Sequence, residues 1–486
     1  MSPGRHFLGR KVHSRNKLPD EVAARLAPLI SSHSSILIGL SGGVDSVVLL
    51  HVLQQLAPRF SWQLSALHVH HGISPNADAW ADFCAGLCAQ YAVPLHIEQV
   101  NIAPLRKHGI EAAARKLRQA AFARQACDFV ALAHHTDDQA ETLLLQLLRG
   151  SGVKGAAAMP VLSLMETSRR ETPAESLLAS KPPPLAENAG SPRVLRPLLH
   201  CSRQEILDYA AAHGLRWIED ESNADDSYPR NFLRHRVLPL LEQKFPACRT
   251  TLARSAQHFA EASELLDDLA RLDAQSPPPL PLLDRALGGD ANLEISRLQS
   301  LSWPRAKNLL RYALHGSGAP MPQAVQLDDM LRQLCDARQG ASVCVKYGGW
   351  EVHRYRGRIY VLRVPGEFDR SLVLPWRGEA ELDWPALNTQ LVFTQTSGQG
   401  IGLEKLRRAP VTLRLRQGGE TLRPHPNAAT RTLKNLLQEH PIPPWQRDRL
   451  PLLYCGDELV CAVGVAVAAE YRADDGEAAI LVDLTY

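Results

Sequence analysis

The sequence predicts a doubly wound parallel α/β sheet, then a helical middle domain and a small mixed α/β C-terminal domain. Three observations predict it. Between residues about 35 and 150, short apolar runs alternate with amphipathic stretches, as in parallel strands joined by crossover helices. A glycine turn, Ser41-Gly42-Gly43-Val44-Asp45-Ser46, follows the first such run and opens the first such helix. The length of 486 residues fits two to four domains at about 100–200 residues each.

The elements follow in order. Residues 1–34 read as a basic N-terminal lead, because Arg5, Arg10, Lys11, Arg15 and Lys17 precede the first acid, Asp20. The lead lacks the apolar core of a secretory signal. A frayed segment is the main expectation, and a transit peptide is the other reading. Ile36 to Leu40 reads as a buried strand and Val47 to Leu56 as a helix. Leu64 to His70, Leu95 to Val100 and Phe129 to Ala133 read as further strands. Ala79 to Tyr91, Ile110 to Cys127 and Asp137 to Arg149 read as the helices between and after them. The first domain is expected to span 35–246. Within it, residues 163–192 are rich in Pro, Ser, Ala and Glu and read as a disordered surface insertion. Order returns at Arg196-Pro197-Leu198-Leu199, and Arg203 to His213 is helical in spacing. Residues about 247–272 read as one long helix, ended by a linker at Pro277-Pro278-Pro279. A mostly helical middle domain is expected over 247–370, with strands near 341–364 around Gly348-Gly349. The C-terminal domain, 371–486, mixes short strands with a helix at Thr430 to Glu439.

Composition narrows the class. Hydrophobic residues are 45% and charged residues 22%, close to globular averages, which excludes a wholly disordered or fibrous chain. Lys plus Arg is 54 against 51 for Asp plus Glu, a net charge of +3. That balance is silent about nucleic acid until local clustering is read. No apolar run reaches the roughly 18–20 residues of a membrane span. Nine cysteines without a CxxC pair read as reduced buried thiols of a cytoplasmic protein. Cys84 and Cys88 share a helix face, but no second pair follows them.

The glycine turn carries the sharpest chemistry. Its glycines let the backbone turn tightly and approach a ligand. The helix start offers unpaired N–H groups and a positive dipole end, which suit phosphate. Ser41 and Ser46 add hydroxyl groups. The turn has neither the Lys of a Walker A loop nor the GxGxxG spacing. Asp45 would repel a phosphate unless a divalent cation lay between them. The bland alternative is an ordinary strand–helix turn. A second cluster, His134-His135-Thr136-Asp137-Asp138-Gln139-Ala140-Glu141, bridges the fourth strand and its helix. Glu141 lies three residues after Asp138 and four after Asp137, so the three share a helix face. Thr136 as N-cap with Gln139 at N3 would be a capping box. The same acids could instead hold Mg²⁺ or an ammonium group. His68 and His71, at a strand end, could line a nucleotide pocket or be satisfied polar residues.

SGGVDS resembles the signature of the PP-loop ATP pyrophosphatases, whose sheet is Rossmann-like. Further motifs, in order, resemble the tRNA(Ile)-lysidine synthetase family. They are His68-Val69-His70-His71-Gly72, Glu111-Ala112-Ala113-Ala114-Arg115, the His134–Thr142 stretch, Trp217 to Asn223 and Tyr228 to Arg234. Arg414 to Glu420, Leu433 to Glu439 and Ile442-Pro443-Pro444-Trp445 complete them. The resemblance implies a ligase that uses ATP and Mg²⁺ in two steps. The wobble cytidine of a CAU anticodon in an isoleucine tRNA is adenylated with release of pyrophosphate. Free L-lysine then displaces AMP to give lysidine. It implies ATP contacts from Ser41, Gly42, Gly43, Val44, Asp45, Ser46, His68 and Asp137, with Asp45 and Asp137 as metal ligands. It implies lysine binding by Asp138 and Glu141, and catalytic roles for Asp45, Asp138, Glu141 and Arg115. It places Glu111, Arg115, Arg230, Arg234 and Arg236 toward the nucleotide or the tRNA. Composition alone would make the basic helix at Arg115 a solvated face.

From Lys405 to Arg449 ten basic residues face three acids. Arg416, Arg423, Lys434 and Trp445 are the expected tRNA contacts there; a solvated face is the alternative. No membrane partner is expected, and a homodimer is compatible with the sequence. The rival readings are a PP-loop tRNA thiolase, which needs catalytic cysteines or a cluster-holding CxxC, and a small-molecule amide-forming synthetase. A non-catalytic RNA-binding protein with a relict loop is the third.

Overall fold

The structure is a computed structural model. It describes residues 17–485, apart from 73, 102–109, 166–191, 275–292, 339–340, 365–368, 385–386, 388 and 441. The chain divides into two compact units, Met1–Leu265 and Leu266–Tyr486.

The first unit is built on a six-stranded sheet of order β3-β2-β1-β4-β6-β5. Its strands are β1 (Ser35–Gly39), β2 (Gln63–His70), β3 (Leu95–Gln99), β4 (Phe129–Ala131), β5 (Leu162–Leu164) and β6 (Arg193–Leu195). All neighbours are parallel except β5 with β6. Ile36, Leu37 and Ile38 are buried in succession. Burial on both sheet faces is why β1 reads as a continuous apolar run rather than an alternating one. The crossover helices are α2 (Val44–Phe60), α3 (Ala77–Gln90), α4 (Ile110–Ala123) and α5 (Thr136–Leu148), preceded by α1 (Lys17–Leu26). The chain builds outward from β1 to β3, then returns so that β4 pairs on the other side of β1. That reversal opens a crevice at the carboxyl ends of β1 and β4. The glycine turn leaves β1 and the His134–Glu141 cluster leaves β4, so topology brings the two motifs together.

Two expectations change at the edges of this unit. The basic lead is ordered from Lys17 onward. Leu18, Val22 and Leu26 recur every fourth residue and are buried in the main core with α2, so α1 is an amphipathic helix. Residues 1–16 lie outside the described residues. The stretch read as an insertion begins inside the sheet: Leu162–Leu164 pairs antiparallel with Arg193–Leu195. Residues 166–191 lie outside the described residues. Cys84 and Cys88 are buried on α3 as free thiols. Burial pushes them up to about 12 and about 11, which makes them inert packing groups.

The second unit begins within the long helix Cys248–Ala274. Helices Ile295–Ser300, Trp303–Gly316 and Ala324–Asp336 share a core with a four-stranded sheet. The sheet, β7-β10-β9-β8, is formed by β7 (Leu293–Glu294), β8 (Val343–Tyr347), β9 (Trp350–Tyr355) and β10 (Arg358–Arg363). Leu310, Leu314, Leu327, Leu331, Val352 and Ile359 fill that core. The middle stretch therefore combines helices with strands, including those expected near 341–364. Gly348 and Gly349 turn the β8–β9 hairpin with φ of 52° and 79°, values that favour glycine. The proline linker lies outside the described residues. The remaining strands form two antiparallel sheets of five and four strands, plus a two-stranded one. Trp384, Leu391, Leu413 and Leu453 are among the side chains that fill the core there. The predicted helix runs Leu433–Glu439, because the Thr432 hydroxyl caps it by accepting from the Asn435 N–H at 3.4 Å. Among the described residues, no helix is long and apolar enough to cross a membrane.

Candidate active site

The glycine turn is held by its own polar atoms. The Ser46 hydroxyl donates to the Gly43 carbonyl at 2.9 Å and accepts from the Gly42 N–H at 3.1 Å. The Ser41 hydroxyl lies 3.2 Å from it. Gly42 has φ of 88°, and a Cβ there would sit 2.4 Å from Ile218 Cδ1. Both the conformation and the space demand glycine. The Ile218 N–H donates to the Gly42 carbonyl at 3.0 Å, so the Trp217–Asn223 stretch buttresses the turn. Gly43 caps α2 without any side-chain bond to the first helical N–H groups. Those donors and the helix dipole make a preformed anion seat.

Asp45 lies in the first turn of α2. Its Oδ2 is 3.5 Å from Arg203 Nη1 and 3.7 Å from His135 Nε2. Its Oδ1 is buried with no hydrogen-bond partner. Burial raises its carboxyl above the usual range, against the pull of His135 and Arg203. A buried, unpartnered carboxylate oxygen beside an anion seat suits a hard divalent cation that takes oxygen ligands. Mg²⁺ therefore fits Asp45.

The start of α5 is capped one residue earlier than expected. Asp138 Oδ2 accepts from the His135 N–H at 3.0 Å, so His135 is the N-cap and Asp138 stands at N3. Other partners divert the expected pair. The Thr136 hydroxyl donates to the Leu199 carbonyl at 3.3 Å. The Gln139 amide brackets the Met159 backbone at 2.7 and 2.9 Å.

The acids of α5 are each met by arginine. Asp137 accepts from the Arg203 N–H at 3.2 Å on one oxygen and from Arg249 Nη1 at 3.0 Å on the other. It is thus turned toward Arg249 with both oxygens engaged, whereas Asp45 keeps an open one; the metal fit rests on Asp45. Glu141 is fully buried. Arg230 Nε donates to its Oε2 at 2.7 Å. Arg234 Nε donates to its Oε1 at 2.6 Å, and Arg234 Nη2 to its Oε2 at 2.9 Å. Asp138 Oδ1 accepts from Arg230 Nη2 at 2.9 Å and Arg234 Nη2 at 3.2 Å. Burial acts to raise the Asp138 carboxyl. The charges of His135, Arg230 and His134 and the His135 N–H outweigh it, so the group titrates below its usual range.

Arg230 and Arg234 were expected to face nucleotide or tRNA. Here they point inward, onto the acids expected to bind lysine. Their four-residue separation spans helix Pro229–Phe232 and the π-helical turn Leu233–Val237, which puts both on one face. Arg236 points outward and pairs with Asp226 at 2.7 Å. Arg115 is exposed on α4, close enough for its charge to act on His134. Of Glu111 only the helical backbone is described. His68 is buried with Nδ1 2.9 Å from the Leu40 carbonyl, a satisfied strand-end residue at that nitrogen. Burial lowers the pKa of His68, and lowers those of His71 and His134 to about 4.

Sequence reasoning missed Arg203 and Arg249. Each opens a helix, Arg203–Ala212 or Cys248–Ala274, far in sequence from the acids it meets. No local pattern marks either one.

The expected RNA contacts are partly occupied within the second unit. Arg423 pairs with Glu470 at 2.6 Å, and Arg416 lies 3.6 Å from Glu420. Lys434 is exposed. Trp445 is half-buried, its ring stacking on His353 at 4.0 Å and meeting Tyr355 and Tyr360 edge-on.

Three family profiles match the chain: a PP-loop domain over residues 15–241, a TilS substrate binding domain over 293–360, and a TilS substrate C-terminal domain over 411–484. A tRNA(Ile)-lysidine synthase from Nitrosomonas europaea is 40% identical over 445 residues, covering 92% of this chain and 90% of the relative. One from Aromatoleum aromaticum is 41% identical over 462 residues, covering 95% and 99%. One from Salmonella typhimurium is 37% identical over 476 residues, covering 93% and 97%. Identity at this level across nearly the whole of each chain shows that the protein belongs to the tRNA(Ile)-lysidine synthase family.

Proposed function

We propose that the chain ligates free L-lysine to the wobble cytidine of an isoleucine tRNA with a CAU anticodon, at the expense of ATP. The observation that carries the site assignment is the meeting, at one topological crevice, of an anion seat and a buried carboxylate cluster. The seat at Gly42, Gly43, Val44 and Ser46 receives the leaving pyrophosphate, where helix N–H groups neutralise charge as it develops. Asp45 Oδ1 would hold Mg²⁺, which lowers repulsion between the phosphates and the incoming cytidine oxygen.

The cytidine must leave the anticodon stack to be read, the usual mode for a loop base. Arg115, exposed beside His134, would receive it. Lysine's ε-ammonium would exchange with the guanidinium groups on Asp138 and Glu141. The displaced Arg230 and Arg234 would then be free for phosphate, which suits their bidentate geometry. The ammonium must lose a proton before attack, since its free pKa is about 10.4. One of the two carboxylates that hold the ammonium, Asp138 or Glu141, would take that proton. Segments 247–370 and 371–486 would grip the tRNA body.

The test uses ATP, radiolabelled lysine and tRNA transcripts. Label is expected in the CAU isoleucine tRNA and not in a CAU methionine tRNA. It is expected to vanish in Asp45→Asn. ATP–pyrophosphate exchange without tRNA would instead favour a small-molecule synthetase.

A further inference from the structure

A group of polar side chains on the β8–β9 hairpin takes no part in this chemistry. The hairpin register sets Cys344 opposite His353 and Lys346 opposite Glu351. Val343, Val345, Tyr347 and Val352 face the apolar core. Alternation along each strand therefore puts Cys344, Lys346, Glu351 and His353 on the other face. Such a face would ordinarily be wet. Here Glu351 and His353 are buried, at 8% and 6% exposure. Trp445 covers His353, while Cys344 stays exposed on the edge strand β8.

We infer that Cys344 Sγ, Glu351 Oε2 and His353 Nε2 form a binding site for a zinc ion. His353 Nε2 is 2.8 Å from Glu351 Oε2 and 3.8 Å from Cys344 Sγ. One donor atom from each of the three residues lies within 4.8 Å of the others. Tetrahedral zinc with ligand bonds of about 2.0–2.3 Å sets its donors roughly 3.3–3.6 Å apart, between the 2.8 and 3.8 Å that separate His353 Nε2 from the other two donors. The ligand types decide the ion. Thiolate and imidazole suit a borderline-soft metal, whereas Mg²⁺ and Ca²⁺ take oxygen. Lys346 Nζ holds the other carboxylate oxygen, Oε1, at 2.7 Å, an outer partner that fixes the ligand's orientation. Binding removes the thiol proton of Cys344 to solvent and leaves the imidazole neutral. With three protein ligands, the fourth position is open to water on the exposed Cys344 side. The bound ion would clip the hairpin beneath Trp445.

The test uses the full-length protein, dialysed against chelator and titrated with Zn²⁺ and with Co²⁺. We expect one equivalent of Zn²⁺ by calorimetry at micromolar affinity or better. Co²⁺ should give a thiolate charge-transfer band and quench tryptophan fluorescence in a Trp445-dependent way. Cys344→Ser should abolish the charge-transfer band, and it and His353→Gln should each weaken Zn²⁺ binding at least tenfold. Cys344 is exposed, so its variant tests the site even if His353→Gln fails to fold. The inference is overturned if the wild type binds no stoichiometric Zn²⁺. It is equally overturned if Cys344→Ser retains the affinity and the band, which would place the ion elsewhere.

Discussion

The two units use charge in opposite ways. In the first, Asp138 and Glu141 are buried and each meets both Arg230 and Arg234. In the second, several pairs of the basic stretch are local and solvent-facing, as in Arg407 with Glu404 and Arg431 with Glu439. A buried pair cannot be broken without leaving an ion in a poor solvent, so it fixes position strongly. An exposed pair exchanges readily with water and salt, so it is free to trade its partner for phosphate. One arrangement suits a site that keeps its acids placed and neutralised until a substrate cation replaces the guanidinium groups. The other suits a surface that must bind a long polyanion.

This contrast can be tested, beginning where the effect is greatest. Glu141→Ala removes the acid between two guanidinium groups, and should cost about 3–5 kcal/mol of stability, read by urea denaturation, with loss of lysine transfer. An unchanged midpoint would show that the cluster is not sealed from water. His134 gives a pH signature next. Its folded pKa is about 4 against an ordinary 6.5. Between those values the unfolded chain binds a proton that the folded chain refuses. Stability from this group is thus complete above about pH 6.5 and is lost as pH falls toward 4, by roughly 3 kcal/mol in full. His134→Asn should flatten that part of the stability–pH curve.

Gly42→Ala meets both a positive φ and the Ile218 side chain, and should cost about 2 kcal/mol while weakening ATP binding. The smallest stability effect should come from Lys434→Ala in the second unit. Its denaturation midpoint should not move, but tRNA affinity should fall and the slope of log K against log salt should drop by about one. If Lys434→Ala proved as destabilising as Glu141→Ala, the contrast between the units would fail.

Much of this arrangement was legible in the residues. The run Ile36 to Leu40, the glycine turn and the His134–Glu141 stretch are local patterns, and local backbone chemistry dictates them. The cap of α5 is not legible locally, because the Leu199 carbonyl and the Met159 backbone, remote in sequence, take the side chains of Thr136 and Gln139. In the N-terminal lead, the recurrence of Leu18, Val22 and Leu26 comprises only three residues and lies beside a basic run, and burial against α2 is what makes it a helix.

The sequence by itself determined the strand–helix alternation, the phosphate-seating turn and the acidic face of one helix. These rest on backbone propensity and on periodicities of two and of about 3.6 residues, which short segments carry alone. Tertiary structure decided which charges meet. Arg249 finds Asp137 across 112 positions of chain, and Arg230 finds Glu141 across 89. Such pairings depend on how strands are ordered and helices packed, and Coulomb attraction acts through space without regard to sequence separation.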